Sequence, residues 1–513
     1  MHRRRLSTVA AALILAFLLG SVIGPGRAAA APVVMLSPDG TVHRENNRFI
    51  SAADSISPAQ VATTAPSALT GSRLTYSAGA PADALEALRR APAAKRKVPQ
   101  ITVVTVLAHL LSSRQITAAE HTTYLADWNR ALAEEKRLSE ARSAQLEPVT
   151  EMLHDMAVDG TMTASRLPVL FLTLEENATY WKSGPMLSYG ARVQFAGSEL
   201  EWQYYTGEGI QLQVLGTFGE ANGFYAAGPA EYPELEQVMS EMLGLAVQRG
   251  GGLAWEYYFD WEGGAPPWIS AMAQGTGLEA LTRLYEATHN ATYLTDAHDA
   301  LGILETAPPT GVAVRTTLGD TFLQYNFEPR TDIINAFLQT LIGLDDYATA
   351  SGDQTALALF DAGNAQAQAV LPSFDTGAWS QYQPGEPDDL SYHQLVTGFL
   401  QTLCSLTGTP IYCSTAKAFT VDLRTPPVIT QVTQTAPKQT QFKLYFTLDK
   451  PAHVGVVIAN ASGRDYLYTS ADADPGADYW IVPKLPAGTY SVKLSGTDLA
   501  GNFATTTGSL TAG

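Results

Sequence analysis

The chain of 513 residues is 46% hydrophobic and 16% charged, enough to bury the cores of about two or three domains. Its formal net charge of −18 argues against nucleic acid as a partner. An anionic substrate would have to be met by local positive charge, which composition does not reveal.

Residues 1–31 read as a secretory signal. Arg3, Arg4 and Arg5 precede an apolar run from Val9 to Ile23, and small residues from Ala28 to Ala31 make the exit. The alternative is an uncleaved anchor, since the run is near the lower limit for a spanning helix. No later segment is apolar enough to cross a bilayer, so a secreted protein with no other membrane element is expected. Residues 32–100, rich in Ala, Pro, Ser and Thr, read as a poorly ordered lead-in that adds a strand or two. From Ile101 to Leu174 apolar residues recur three and four apart, with no Gly or Pro before Pro148, which predicts helical hairpins.

A repeat follows. Loops lead into apolar helices opened by a polar residue, Gln211, Gln274, Asn335 and His393, at separations of 63, 61 and 58 positions. A two-helix unit recurring at this period buries its apolar face on its neighbours, as in a solenoid or a closed ring. The expected fold over 101–424 is mainly α, an incomplete α/α toroid of helical hairpins. The aromatic loops all precede the first helix of a pair, so they should converge on one mouth. They carry Tyr204, Tyr205, Trp255, Tyr257, Tyr258, Trp261, Trp268, Tyr325, Phe327, Trp379, Tyr382 and Tyr392. Such a rim suits a carbohydrate groove, where sugar faces stack on rings; the plainer alternative is that these rings pack loop against helix.

Cys404 and Cys413, the only cysteines, sit nine positions apart in the last hairpin, where a disulfide fits better than a metal site. Residues 425–513 form about seven short runs rich in Val, Tyr and Thr, broken by Pro, Gly and Asp. They predict an immunoglobulin- or fibronectin-like β-sandwich with no catalytic group. The chain lacks the serine-hydrolase elbow, the zinc-protease helix, the P-loop and the dinucleotide fingerprint, and no metal or cofactor is expected.

Four blocks, "WQYYTGEGIQLQVLGTFGEANG", "PPWISAMAQGTGLEALTRLYEATHNATYL", "FLQYNFEPRTDIINAFLQTLIGLDDY" and "FDTGAWSQYQPGEPDDLSYHQLVTGFLQTL", resemble in order the C-terminal catalytic region of D-glucuronyl C5-epimerases, over about Tyr180 to Leu423. The resemblance implies an α/α toroid and proton exchange at C5 of a uronic acid within a polysaccharide, with Tyr325, Tyr382 and Tyr392 as the catalytic tyrosines. It aligns the family's Asn ten residues after the first Tyr with Asn335, and the family's Tyr-His pair with Tyr392 and His393. The chain departs from the family at Gln324, where an acid is usual, at Asn326, where Pro is usual, and at Val396, where a second His is usual.

Inverting a carbon next to a carboxylate needs a base on one face and an acid on the other, and tyrosines serve if neighbours set their acidities apart. The intermediate carries extra negative charge on the carboxylate. Arg192, Arg330 and His393 are candidate charge partners, with Gln274 and Asn335 as neutral donors. Gln324, Trp268, Tyr204 and Tyr205 complete the expected substrate-binding set. The expected activity is an isomerase, a uronate C5-epimerase. The alternatives are a polysaccharide lyase sharing the first proton abstraction, or a non-catalytic glycan-binding protein. The expected partner is a uronate-containing polysaccharide, and a homodimer is left open.

Overall fold

The computed structural model describes residues 31–37, 39–50, 101–434 and 441–512. The signal segment and lead-in residues 51–100 lie outside the described residues. The described chain divides into two compact units, one of residues 101–190 with 205–209 and one of 31–50, 191–204 and 210–512.

The first unit holds α1 (Val103–Ser112), α2 (Ala118–Glu135), α3 (Glu140–Val158) and α4 (Leu167–Ser183). Two starts are fixed by reciprocal caps. Thr117 accepts the Glu120 N–H and the Glu120 carboxylate accepts the Thr117 N–H, so two otherwise orphaned helix-end donors are satisfied. Thr102 and Thr105 do the same for α1. α4 packs on both α2 and α3 through its buried Leu, Phe and Trp residues.

The second unit opens with a sheet of β1 (Ala31–Leu36), β2 (Val42–Asn47), β3 (Arg192–Phe195), β4 (Trp202–Tyr205) and β5 (Gly209–Leu212), in the order β2-β1-β3-β4-β5. β1 lies antiparallel to β2 and parallel to β3. Four helical hairpins follow: α5 (Val214–Ala227) with α6 (Tyr232–Gly244), α7 (Ala271–Thr288) with α8 (Thr292–Asp299), α10 (Ile334–Ser351) with α11 (Gln354–Val370), and α12 (Leu390–Thr407) with α13 (Pro410–Asp422). The short α9 (Gly302–Glu305) follows α8. The first helices pack side by side in the order α5, α7, α10, α12, and each second helix packs outside its own partner. This arc of inner and outer helices, over 214–422, is an incomplete α/α toroid as expected, while residues 101–190 of the expected span 101–424 fall in the first unit.

Small residues set its tightest crossing. A Cβ on Gly275 of α7 would stand 2.6 Å from the Thr340 Cα of α10, and one on Gly343 would collide with the Gly275 carbonyl. The two backbones therefore approach only because both positions lack side chains.

The helix openers are only partly as expected. Gln274, Asn335 and His393 fall in the first turn of α7, α10 and α12, but Gln211 lies in β5 and the α5 cap is Gln213. Strand alternation just before α5 carried the polar pattern one element upstream.

Cys404 of α12 and Cys413 of α13 form a disulfide. Opening it with the double change Cys404→Ser and Cys413→Ser is expected to cost about 2–3 kcal/mol, through the regained chain entropy of the unfolded state. The reading is a lower midpoint in thermal unfolding of the full chain; an unchanged midpoint would mean that the cross-link carries no stability.

Between the hairpins lie three short strand pairs, β6 (Val247–Arg249) with β7 (Gly252–Ala254), β8 (Ala313–Arg315) with β9 (Asp320–Phe322) and β10 (Gln381–Gln383) with β11 (Glu386–Pro387). Seven strands follow: β12 (Ile429–Gln434), β13 (Gln441–Leu448), β14 (Ala452–Asn460), β15 (Asp465–Ala473), β16 (Gly476–Pro483), β17 (Gly488–Asp498) and β18 (Phe503–Ala512). They make two sheets, β12-β13-β16 and β15-β14-β17-β18. Alternate residues of β14 and β17 face a core of Val454, Val456, Ile458, Val492 and Leu494. Near the start of β17 the Tyr490 hydroxyl donates to the Pro486 carbonyl at 2.7 Å, the tyrosine corner of immunoglobulin-like sandwiches.

Candidate active site

The loops at the N-terminal ends of the four inner helices meet, and backbone pairing fixes them to one another. Before α7, Tyr257 and Trp268 exchange both backbone hydrogen bonds, at 2.8 and 3.1 Å. Between them a two-residue turn, Glu262 at φ 46° and Gly263 at φ 86°, reverses the chain, both central residues being left-handed as a tight hairpin requires. Next to it Gly264 is obligatory, because a Cβ there would strike the Phe327 ring.

The loop before α10 is stitched to this one by Asn326. Its N–H donates to the Ile269 carbonyl (3.2 Å), its Oδ1 accepts the Ile269 N–H (3.0 Å) and its Nδ2 donates to the Pro309 carbonyl (2.6 Å). A proline there could offer neither donor, so the departure at Asn326 has a structural use. Before α12, the hairpin of β10 (Gln381–Gln383) and β11 (Glu386–Pro387) leads to Asp389, which accepts the Tyr392 N–H at 2.9 Å and caps the helix.

These loops bring the three expected tyrosines together. The Tyr382 and Tyr325 hydroxyls face each other, close enough to affect each other's acidity. The Tyr382 and Tyr392 rings meet edge-on with centroids 5.1 Å apart. Tyr325 is buried, in T-shaped contact with Trp268 (5.7 Å) and stacked on Phe327 (5.3 Å), while Tyr382 and Tyr392 are half-buried. Trp268 stacks in turn on Tyr257 at 4.2 Å, and the Tyr257 hydroxyl accepts the Leu215 N–H and donates to Gln213 Oε1 at 3.3 Å. A continuous run Gln213, Tyr257, Trp268, Tyr325, Tyr382, Tyr392 thus crosses all four hairpins.

Burial pushes the Tyr325 phenol up to about 12, and the nearby Glu262 carboxylate adds to that. Trp261, Tyr382 and Gln324, the polar groups facing its oxygen, act the other way. Tyr382 is held well above the ordinary phenol range by burial and by facing Tyr325 and Tyr392. Trp261 and Gln324 ease the ionisation of Tyr325, whereas the groups facing Tyr382 all oppose its own. Burial and Glu386 also raise the carboxyl of Glu262.

The other expected site residues divide. Gln324 stands beside the Tyr325 hydroxyl, its Oε1 accepting from Ser270 Oγ at 3.2 Å. Gln274 is turned inward: its Nε2 donates to the Trp255 carbonyl (2.8 Å) and its Oε1 accepts the Trp255 N–H (3.2 Å), a carboxamide clamp on one backbone unit. His393 is also enclosed. Its Nδ1 accepts the Ser380 N–H and its Nε2 donates to the Phe419 carbonyl, and burial holds it down at about 4, so it is a neutral packing residue and no cation. Asn335 is buried at 1% exposure, and its Oδ1 has no hydrogen-bond partner among the described residues.

Trp268 is an enclosed member of the aromatic run, its Nε1 donating to the Phe259 carbonyl at 2.8 Å. Tyr204 and Tyr205 lie buried in β4, and Tyr205 packs edge-on against Tyr189. Arg330 is the opposite case, 90% exposed and 3.7 Å from Glu328. Arg192 is buried in an ion pair with Glu201, close enough to Tyr257 to affect its acidity. The aromatic rim is therefore mostly packing: Trp255, Tyr257, Tyr258, Trp261 and Trp379 are buried as well, and only Phe327, Tyr382 and Tyr392 are partly open. Glu262 and Gln213 were not singled out by sequence. Glu-Gly in the tight turn "WEGG" was the available signal for the first.

Residues 250–421 match the family model of the D-glucuronyl C5-epimerase C-terminus. The match begins after the first of the four sequence blocks and includes all three tyrosines. Among curated relatives, the D-glucuronyl C5-epimerase of Caenorhabditis elegans is 32% identical over 130 residues, 23% of this chain and 21% of that protein. An uncharacterized protein of Methanocaldococcus jannaschii is 26% identical over 168 residues, 31% of this chain and 54% of its own length. The chain thus spans about a fifth and about half of these two relatives. Among solved structures, a GH76 alpha-mannanase of Bacteroides thetaiotaomicron shares 13% identity at a TM-score of 0.32, over 45% of this chain and 65% of that one.

Proposed function

We propose that the protein is a uronate C5-epimerase acting on a polysaccharide, with Tyr325 as the base and Tyr382 as the acid. The observation that carries this reading is that the Tyr382 and Tyr325 hydroxyls face each other, with Tyr392 against Tyr382, within the region that matches the epimerase C-terminus. A uronate ring enters between the two hydroxyls. Tyr325, as phenolate, takes the proton from C5, and the electron pair of the broken C–H bond moves onto the carboxylate. Trp261 and Gln324, the donors facing this point, stabilise that charge. Tyr382 gives its phenolic proton to the other face of C5, forming the new C–H bond. No group is lost, and once the sugar leaves, proton transfer along the restored Tyr325 to Tyr382 contact, with solvent, resets the pair.

Export of the protein, where such a polymer is met, is part of the same reading, and the Cys404 to Cys413 disulfide supports an oxidising location. Incubating the full chain with glucuronate-containing polymers in heavy water tests the function. Deuterium at C5 with chain length preserved is expected. No exchange on any polymer tried would sink the reading, and an unsaturated, ultraviolet-absorbing product with chain shortening would make the protein a lyase.

A further inference from the structure

The C-terminal sandwich reaches the tyrosines through one buried charge. Lys450, in the turn between β13 and β14, is 0% exposed. Its Nζ donates to the carbonyls of Asp422 and Thr425, each at 2.7 Å, and faces Asp498 Oδ2 at 3.5 Å. Asn502, also in the sandwich, donates through Nδ2 to the Leu423 carbonyl at 3.0 Å. Carbonyls at a helix C-terminus have no partner within the helix, and a cation is favoured there. The sandwich thus supplies the C-terminal cap of α13.

From α13 the contact passes to the tyrosine loop by two routes. The Phe419 carbonyl accepts from His393 Nε2 at 3.1 Å, and His393 Nδ1 accepts the Ser380 N–H at 3.2 Å. Independently, Lys450 Nζ lies 5.4 Å from the ring centroid of Trp379, within cation–π range. Trp379 stacks on His393 at 3.8 Å, and its Nε1 donates to the Asp388 carbonyl at 2.8 Å. Ser380 is two residues before Tyr382, and His393 directly follows Tyr392. The segment that carries Tyr382 and leads to Tyr392 in the first turn of α12 therefore rests on a platform whose far side is a side chain of the sandwich. An ammonium withdrawn from water is retained only where its partners are fixed, so this platform cannot be slack.

We propose that Lys450 is a positioning residue for Tyr382 and Tyr392, acting through Trp379 and His393, and that the sandwich is a structural part of the catalytic unit. The catalytic half of this statement rests on the epimerase reading above; the positioning half does not.

Lys450→Met keeps the stem and removes the charge, and Lys493→Met, on the exposed face of β17, is the control. In the full chain, amide hydrogen exchange across residues 376–393 is expected to speed up by about tenfold or more in Lys450→Met and to stay unchanged in α7 and in the control. The kcat for C5 exchange is expected to fall by about tenfold or more with KM within about twofold. Unchanged amide exchange at 376–393 would overturn the proposal. So would a raised KM with kcat preserved, which would make the sandwich a polymer-holding module. Should Lys450→Met lose protection in α7 as well, Asn502→Ala, which leaves Lys450 in place and removes the contacts to the Leu423 carbonyl and the Asp498 carboxylate, decides. A rise of about threefold in exchange at 376–393 supports the proposal, and no change overturns it. A wild-type protein without C5 exchange would sink the epimerase reading and leave the amide-exchange arm to judge Lys450 alone.

Discussion

Tyr325→Phe lowers C5 proton exchange by about a thousandfold or more, since removing a positioned acid or base typically forfeits between a hundredfold and ten-thousandfold. The ring that fills the space between Trp268 and Phe327 is retained, and only the hydroxyl is lost. Its loss takes a buried polar atom from beside Trp261, Tyr382 and Gln324, at a cost of about 1–3 kcal/mol in stability. Thermal unfolding therefore shows a modest loss while the rate collapses. Tyr382→Phe is expected to fall comparably, and the double variant no further than the worse single one, because the two hydroxyls act as one unit. KM should move by less than about twofold, since neither hydroxyl binds the ground state more tightly than the transition state. If Tyr325→Phe retains more than about a tenth of the wild-type rate, the assignment of the base fails.

The helical hairpins were legible because a sixty-residue period of apolar faces has few other solutions. The seven strands of the sandwich were legible from turn residues set between β-branched runs. The register of the first opener was not, because Gln211 in β5 and a helical opener look alike when strand and helix adjoin. The convergence of the loops that carry Tyr325, Tyr382 and Tyr392 followed from the repeat, because loops preceding equivalent helices open on one mouth. That these three among the twelve rings matter was implied only by the family resemblance.

The fates of the remaining candidates turned on partners far away in sequence. Gln274 is spent on the Trp255 backbone, nineteen positions upstream, and Arg192 on Glu201. A sequence shows a carboxamide or a guanidinium but not what it is already bonded to. For the same reason an aromatic loop reads equally as a sugar platform or as packing, and here most rings pack. Lys450 was invisible for a further reason. Its partners lie at the end of α13 and in β17, so its burial exists only once the sandwich is folded against that helix.

On the proposed reading, Gln324 helps where an acid would hinder. A carboxylate beside Tyr325 would push its phenol higher, as Glu262 already does, whereas the Gln324 amide acts the other way and eases its ionisation. That difference becomes measurable in the pH dependence of the rate. With the Tyr325 phenol at about 12, only a small fraction is phenolate at neutral pH. That fraction grows about tenfold for each pH unit below the pKa, and a rate limited by the base grows with it. Between pH 8 and 10 C5 exchange is expected to rise about a hundredfold, with a log–log slope near +1 and no plateau. Asp388, pushed up to about 7 by burial, is already ionised over this window, and neutral His393, at about 4, does not titrate in it. The window closes above for a reason of opposite sign. Tyr325 titrates near 10.0 when exposed and near 12 when folded, so its burial stabilises the fold fully below about pH 10, a contribution lost as pH rises toward about 12. Rates must therefore be taken below the onset of alkaline unfolding, followed in the same samples. A profile flat from pH 8 to 10 would make Tyr325 the proton donor and not the base. The residual rate of Tyr325→Phe should lose the slope altogether, because the group whose ionisation sets it is gone.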